Sequence, residues 1–368
     1  MKVYIDGLFY KGSGIGRYYE SLMKEFSKQD IKIYTCVPKR LKKDFEKDFE
    51  GYLQNIIPIF VDYEKFSYKN FIRSGAILKK LENKVDLFFY PHINLPFYVP
   101  HNTITTIHDL RFFSEWWDRD ILKKEIFGFF LRRAVTKSGK IIAISHATKE
   151  DLLRHNPKIK NQNKIKVIYE FIDDKFITSL KPDKPLIEEN YFLFVGNRKK
   201  HKNLKNLILS FNQIKDQTNY KLVIAGRKDN NDSKDEVEEL IDKLNIENYI
   251  IQFTNLSDEN LINLYSYAKL FVFPSFYEGF GLPPLEAIAC GCPAITSNIP
   301  VLEEILGNKI ACFDPYSIKD IAEKLLFLLT NEGERDNLFK AGKQKLEFFD
   351  KQRITHEYLT TFKEIREK

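Results

Sequence analysis

The chain has 368 residues, 43% of them hydrophobic and 30% charged, with a formal net charge of +7; this is the make-up of a folded soluble protein and excludes disordered and fibrous classes. At roughly 150 residues per domain the length predicts two domains, and Lys, Arg, Asp or Glu interrupts each apolar run before it reaches the ~18 residues of a spanning helix. Cys36, Cys290, Cys292 and Cys312 are too few for a disulfide framework, and Cys290-Gly291-Cys292 lacks the second ligand pair of a zinc site, so buried thiols in a reducing cytosol are expected.

Met1-Lys2-Val3-Tyr4-Ile5-Asp6 meets an acidic residue too early for a secretory leader and reads as a first strand. Further strands are predicted over 31–37, 56–61, 86–90, 103–107 and 140–144, with helices over 17–28, 68–83, 121–138 and 147–154. That alternation predicts a parallel sheet. Residues 173–190, with Asp173, Asp174, Pro182 and Pro185, break the rhythm and place a domain boundary near 180. Strands at 191–195, 221–225, 249–253 and 270–274 then alternate with helices at 203–215, 234–244 and 258–267, and 350–368 reads as a terminal helix. The fold class is α/β: a domain over 1–180 and a second over 181–349, each doubly wound, with ligand-binding residues expected just after strands.

The charge is uneven, with 32 Lys and Arg against 22 Asp and Glu in residues 1–180, and 26 against 29 in residues 181–368. A net +10 field of this kind attracts nucleic acid, anionic lipid headgroups or a diphosphate-bearing acceptor, or it is simply solvated surface.

The most informative stretch is Phe273-Pro274-Ser275-Phe276-Tyr277-Glu278-Gly279-Phe280-Gly281-Leu282-Pro283-Pro284-Leu285-Glu286-Ala287. A buried strand enters a glycine-spaced loop, and a helix starts near the prolines, which a first helical turn tolerates. Backbone N–H groups at such a start bind anions and hydroxyls. Helix capping alone would explain Glu286 but not Glu278, the glycines and the double proline together. The stretch resembles the Glu-x7-Glu motif of family 4 of the retaining glycosyltransferases. The resemblance implies the GT-B architecture, two facing Rossmann-like domains with an interdomain cleft. It also implies that Glu278 lies beside the donor sugar, that Glu286 binds the ribose hydroxyls, and that the backbone of Phe280, Gly281 and Leu282 holds sugar hydroxyls and diphosphate.

Gly196-Asn197-Arg198-Lys199-Lys200-His201-Lys202-Asn203 follows the first strand of the second domain, and its cations suit a diphosphate. It is similar to the family's Gly…Arg/His-Lys-Asn pattern, which makes Lys202 the leaving-phosphate cation and Arg198 its helper. Thr254 and Leu256 match the segment that packs on the nucleobase. In the first domain, Thr105-Thr106-Ile107-His108-Asp109-Leu110 resembles the donor-sugar turn; His108 would touch the reacting sugar, and Asp109 would orient it or contact the acceptor. Gly12-Ser13-Gly14-Ile15-Gly16 allows close backbone approach, so Gly14 and Gly16 join the candidate site. It lacks a nicotinamide fingerprint. Ser145 to Thr148 reads either as a cleft-lining segment or as a helix cap. Asp118-Arg119-Asp120 only superficially resembles a metal-binding Asp-x-Asp, and no metal and no other cofactor is expected.

The function these residues imply is transfer, with retention, of a hexose from a GDP- or UDP-sugar to a glycan or polyprenyl-diphosphate-linked acceptor. GDP-mannose is the first choice of donor. The setting is bacterial surface polysaccharide synthesis in the cytoplasm, with peripheral contact to anionic membrane through the basic half and no nucleic-acid partner. A nucleotide-sugar epimerase or hydrolase, and a non-catalytic sugar-nucleotide-binding partner, are the rival readings.

Overall fold

The computed structural model describes residues 1–12, 14–116, 120–157, 159, 161–228, 235–307 and 312–366. The chain divides into one unit of Met1–Glu170 with Lys351–Lys368 and another of Phe171–Asp350. The first unit runs β1 (Lys2–Asp6), α1 (Gly14–Ser27), β2 (Lys32–Pro38), α2 (Lys42–Asp48), β3 (Ile56–Val61), α3 (Tyr68–Leu81), β4 (Leu87–Tyr90), β5 (Thr103–Ile107), α4 (Ile121–Lys137), β6 (Lys140–Ala143), α5 (His146–His155) and β7 (Ile165–Val167). Its sheet has the order β3-β2-β1-β4-β5-β6-β7, parallel throughout, so the winding reverses between β1 and β4.

The second unit runs α6 (Asp174–Ile177), β8 (Tyr191–Val195), α7 (Leu204–Ile214), β9 (Lys221–Ala225), α8 (Glu236–Leu244), β10 (Ile250–Phe253), α9 (Asp258–Tyr267), β11 (Leu270–Phe273), α10 (Leu282–Ala289), β12 (Ala294–Ser297), α11 (Pro300–Leu306), β13 (Cys312–Phe313), α12 (Ile318–Thr330) and α13 (Glu332–Lys345). Its parallel order, β10-β9-β8-β11-β12-β13, reverses between β8 and β11. Apolar runs such as Leu270–Phe273 are buried along their whole length because helices cover both faces of such a sheet. Phe192, Phe194, Phe211, Leu207 and Leu325 form part of the core beneath α7 and α12.

The final helix, α14 (Lys351–Arg366), belongs to the first unit. Its Tyr358 and Phe362 rings lie 5.9 and 5.4 Å from Phe89, and 5.7 and 5.4 Å from Phe26. The first division falls at 170/171, ten residues ahead of the boundary expected at 180. The reason is local packing: Lys175 pairs with Asp258 at 2.7 Å and Phe176 meets Tyr265 at 6.1 Å, which ties the connecting segment to the second unit. Helix α7 starts one residue after the predicted 203 because Asn203 is left-handed, with φ 57°. Position 234, the predicted start of α8, lies outside the described residues; Asp235 caps that helix in a capping box with Glu238. Helix α2 and strands β7, β12 and β13 carry no period that the sequence pattern resolves, being at most seven residues long.

Candidate active site

Two loops at the carboxyl edge of the second sheet flank its winding reversal, the place where open α/β sheets bind ligands. One follows β8 and the other β11, and the Phe276 N–H stitches them by donating to the His201 carbonyl at 2.8 Å. Asn203 anchors the first loop by donating from Nδ2 to the Pro315 carbonyl at 2.8 Å. Lys202 leaves this support toward the second loop, where its Nζ lies 2.6 Å from Glu278 Oε1, and both side chains are only 14% and 12% exposed. The ammonium also sits 4.9 Å from the centre of the Phe273 ring. The structure thus brings together a cation and a carboxylate that lie 76 positions apart in the chain.

Arg198 takes a different course from the one expected of a phosphate helper. Its side chain is 1% exposed and is turned into an acidic cluster, with Nη1 3.1 Å from Asp235 Oδ2 and Nη2 donating to Gln252 Oε1 at 2.7 Å. Burial of a guanidinium requires such partners, and Arg198 therefore braces the Gly196 loop against α8 and β10. Thr254 and Leu256 lie half-buried in the turn after β10, at the same carboxyl edge.

Helix α10 starts at Leu282 after Gly281, whose φ of 107° is reserved for glycine and whose Cβ would lie 2.7 Å from Leu302 Cδ2. Pro283 and Pro284 have no N–H, so the early donors of this helix start come from Phe280, Gly281 and Leu282. Glu286 is 7% exposed, and its Oε2 accepts from the Tyr265 hydroxyl at 3.1 Å. Burial, with Glu286 adding to it, pushes the neighbouring Cys290 thiol up to about 12. Burial likewise raises Cys36 to about 12, and at both positions the shift disfavours the thiolate, the nucleophilic form. All four cysteines are free; Cys290 and Cys312 are half-buried rather than buried as expected.

In the first unit, His108 follows β5. Its Nε2 donates to the Pro91 carbonyl at 2.9 Å, its Nδ1 faces Glu170 Oε1 at 3.2 Å, and the Tyr18 ring stands edge-on at 4.7 Å. Asp109, expected to orient this histidine or meet an acceptor, accepts from the Arg111 N–H at 3.1 Å and closes the turn. The carboxylate on the imidazole is Glu170, which sequence reading missed because it lies 62 positions away. Gly14 opens α1 on an exposed edge and Gly16 lies buried in its first turn; Ser13 lies outside the described residues. Ser145 caps α5 by accepting from the Thr148 N–H at 3.0 Å, and Thr148 Oγ1 donates to the His108 carbonyl at 3.3 Å, so the cap also steadies the His108 turn.

Asp6 and His92 also escaped the sequence reading. They end β1 and follow β4, flanking the first unit's winding reversal, and that placement is the signal that would have found them. His92 Nδ1 accepts from the Asn94 N–H at 3.1 Å, so Nε2 carries the hydrogen and donates to Asp6 Oδ1 at 2.8 Å. With side chains 1% and 2% exposed, the pair binds two loops together rather than meeting solvent. Asp118 and Arg119 lie outside the described residues. Among the described residues, no group of three His, Cys, Asp or Glu stands together to hold a metal ion, and no helix is long and apolar enough to cross a membrane.

Two Rossmann-like units in one chain, one of them carrying a Lys–Glu pair and a glycine-led helix start, define the class: a glycosyltransferase of GT-B fold. The crystal structure of a glycosyltransferase from Rickettsia africae ESF-5 shares this fold, with a TM-score of 0.75 and 20% identity over 99% of this chain and 98% of that one. Residues 12–176 match the family described as Glycosyltransferase Family 4, and residues 178–345 that described as Glycosyl transferases group 1. The chain belongs to glycosyltransferase family 4. It is 25% identical to O-antigen chain mannosyltransferase B of Escherichia coli, over 73% of this chain and 72% of that protein. It is 30% identical to O-antigen chain mannosyltransferase RfbU of Salmonella typhimurium, over 65% of this chain and 63% of that protein, slightly under two thirds of the latter's length.

Proposed function

We propose that this chain is a retaining, metal-independent hexosyltransferase that uses a nucleotide sugar, GDP-mannose first, to extend a glycan or lipid-linked glycan in bacterial surface polysaccharide synthesis. The observation that carries this reading is the Lys202–Glu278 pair at 2.6 Å, on the two loops that flank the second sheet's reversal. The mannosyltransferase names of the Escherichia coli and Salmonella relatives support the choice of sugar and of pathway class.

In this reading the Lys202 ammonium draws to the donor diphosphate as the bond from the sugar's anomeric carbon to phosphate oxygen breaks, offsetting charge that grows in the transition state. Glu278 then accepts hydrogen bonds from sugar hydroxyls. Glu286 holds the ribose, the Phe280–Leu282 backbone and the Gly196 loop hold phosphates, and Thr254 and Leu256 flank the base. Arg198 supports the loop without touching phosphate. His108 meets the donor sugar, held by Glu170, and Gly14 and Gly16 admit the substrate to the start of α1. The acceptor hydroxyl oxygen bonds to the anomeric carbon on the face the nucleoside diphosphate leaves, and its proton passes to the departing phosphate oxygen. A lipid-linked acceptor places the reaction in the cytoplasm at the inner face of the membrane, with peripheral contact to anionic lipid.

Melting the protein against a panel of GDP- and UDP-sugars tests the donor, since a ligand at ~100 times its Kd adds ~2.7 kcal/mol. GDP-mannose is expected to raise the melting temperature most. A UDP-sugar doing so would replace the donor, and no shift with any nucleotide sugar would end the reading. Turnover should survive EDTA, and NMR of the product should show the donor's anomeric configuration. For Glu170→Gln we expect kcat to fall about tenfold or more as His108 loses its orientation, with nucleotide affinity unchanged by calorimetry. Unchanged kcat would remove Glu170 from the mechanism.

A further inference from the structure

Helix α4 is apolar on two sides. Phe130, Leu131 and Ala134 are buried, while Leu122, Ile126 and Phe129 recur at four- and three-residue spacing along an outer stripe that is 71%, 41% and 41% exposed. The outer face of a surface helix is ordinarily charged or polar, yet this apolar stripe faces solvent. It does not stop at the helix edge: the Phe129 ring is 5.9 Å from Phe71 of α3, which is 5.9 Å from Phe97, itself 70% exposed. Arg133 gives this region a firm base. Its guanidinium lies 5.2 and 5.7 Å from the centres of Phe71 and Phe129, and it donates to the backbone carbonyls of Phe97, at 2.9 Å, and Pro96. Phe97 is thus held outward by a built support.

Scattered exposed apolar residues need no explanation, but a contiguous patch marks an interaction surface. Exposed cations are interleaved with this one: Lys123 and Lys124 follow Leu122 directly, Lys69 follows the 78%-exposed Tyr68, and Arg132 precedes Arg133. Acidic groups offset part of that charge: Asp62 pairs with Arg73 at 3.3 Å and with Lys69 at 3.9 Å, Asp120 pairs with Lys123 at 3.1 Å, and Glu125 is exposed beside Lys124. Lysine is depleted from the cores of protein–protein interfaces. Aromatic and aliphatic side chains set among Lys and Arg are instead the composition of a helix lying in the headgroup boundary of an anionic membrane.

We propose that the face formed by α3, α4 and Phe97 docks on an anionic bilayer surface. This deepens the membrane contact proposed above and rests on it, while being independent of which sugar is transferred. The test is flotation of the full chain with vesicles of phosphatidylcholine alone or with phosphatidylglycerol added, for the wild type, a Phe97→Ser/Leu122→Ser variant and a Lys124→Glu/Arg132→Glu variant. The expected result is that the wild type floats only with the anionic vesicles. Both variants then lose about tenfold or more of the bound fraction, while melting temperature and nucleotide-sugar binding stay unchanged. If the serine variant does not fold, the charge-reversal variant carries the comparison. A wild type that ignores both vesicles overturns the membrane reading together with this surface. A wild type that floats alongside variants that float equally well overturns the surface alone. A wild-type dimer that becomes monomeric in the serine variant gives the face to a second copy of the chain and overturns the proposal too.

Discussion

Lys202→Ala should lower kcat about a hundred- to a thousandfold, the scale of loss when a preorganised group aimed at developing charge is removed. The Lys202 side chain is 14% exposed, and its ammonium rests on the Phe273 ring and is held 2.6 Å from Glu278, a setting that weakens solvent screening and raises its effect on a departing diphosphate. Glu278→Gln should cost a similar factor, because the neutral amide leaves the ammonium without its counter-charge and accepts sugar hydroxyls less strongly. The two losses should not multiply in the double variant, since each single change already breaks the pair. Steady-state kinetics with saturating donor, alongside circular dichroism to confirm folding, measures all three proteins. A Lys202→Ala enzyme within tenfold of wild type would remove the proposed role.

Gly226→Ala should be the most damaging small substitution in the second unit, at roughly 4 kcal/mol or more of stability. The added Cβ would stand 1.7 Å from the Gly196 carbonyl oxygen and 2.6 Å from its carbon, both backbone atoms with no rotamer to yield. Gly226 is itself pinned by its N–H, which donates to the Phe253 carbonyl at 2.8 Å, so the loop after β8 must move instead. That loop leads to Lys202, and activity should fall together with stability. Gly281→Ala should cost less, about 1–2 kcal/mol for the left-handed backbone, because its steric neighbour is the movable end of the Leu302 side chain, 2.7 Å away. Urea unfolding compares the two. A Gly226→Ala midpoint equal to wild type would show that the close approach is not obligatory.

Much of this was legible in the one-dimensional chain because it is local. Tyr191–Val195 and Leu270–Phe273 are apolar runs of strand length, and each ends where a loop of chemically distinct residues starts. Glu278, Gly281, the double proline and Glu286 sit within nine residues, a spacing that survives translation into a loop and one helix turn. Short elements were another matter. Strand β13 has two residues and β7 three, lengths over which no alternation can be read. The domain boundary missed by ten residues because Asp173, Asp174, Pro182 and Pro185 show that a segment is a connection, but not which unit it lies against.

The sequence by itself determined the α/β class, the two-unit division, the family and the identity of the Lys202, Glu278 and Glu286 side chains, since periodicity and motif spacing are properties of neighbouring residues. Only the tertiary structure decided how those side chains are used. It set the strand orders whose reversals mark the sites, paired Lys202 with Glu278 and gave Glu286 the Tyr265 hydroxyl. It also turned Arg198 inward to Asp235, and brought Glu170 rather than the adjacent Asp109 to His108. A charged side chain placed near the interior goes to whichever opposite charge the fold sets within reach, because leaving it alone costs several kcal/mol, roughly. That partner is chosen by distance in space, which no local stretch of chain encodes.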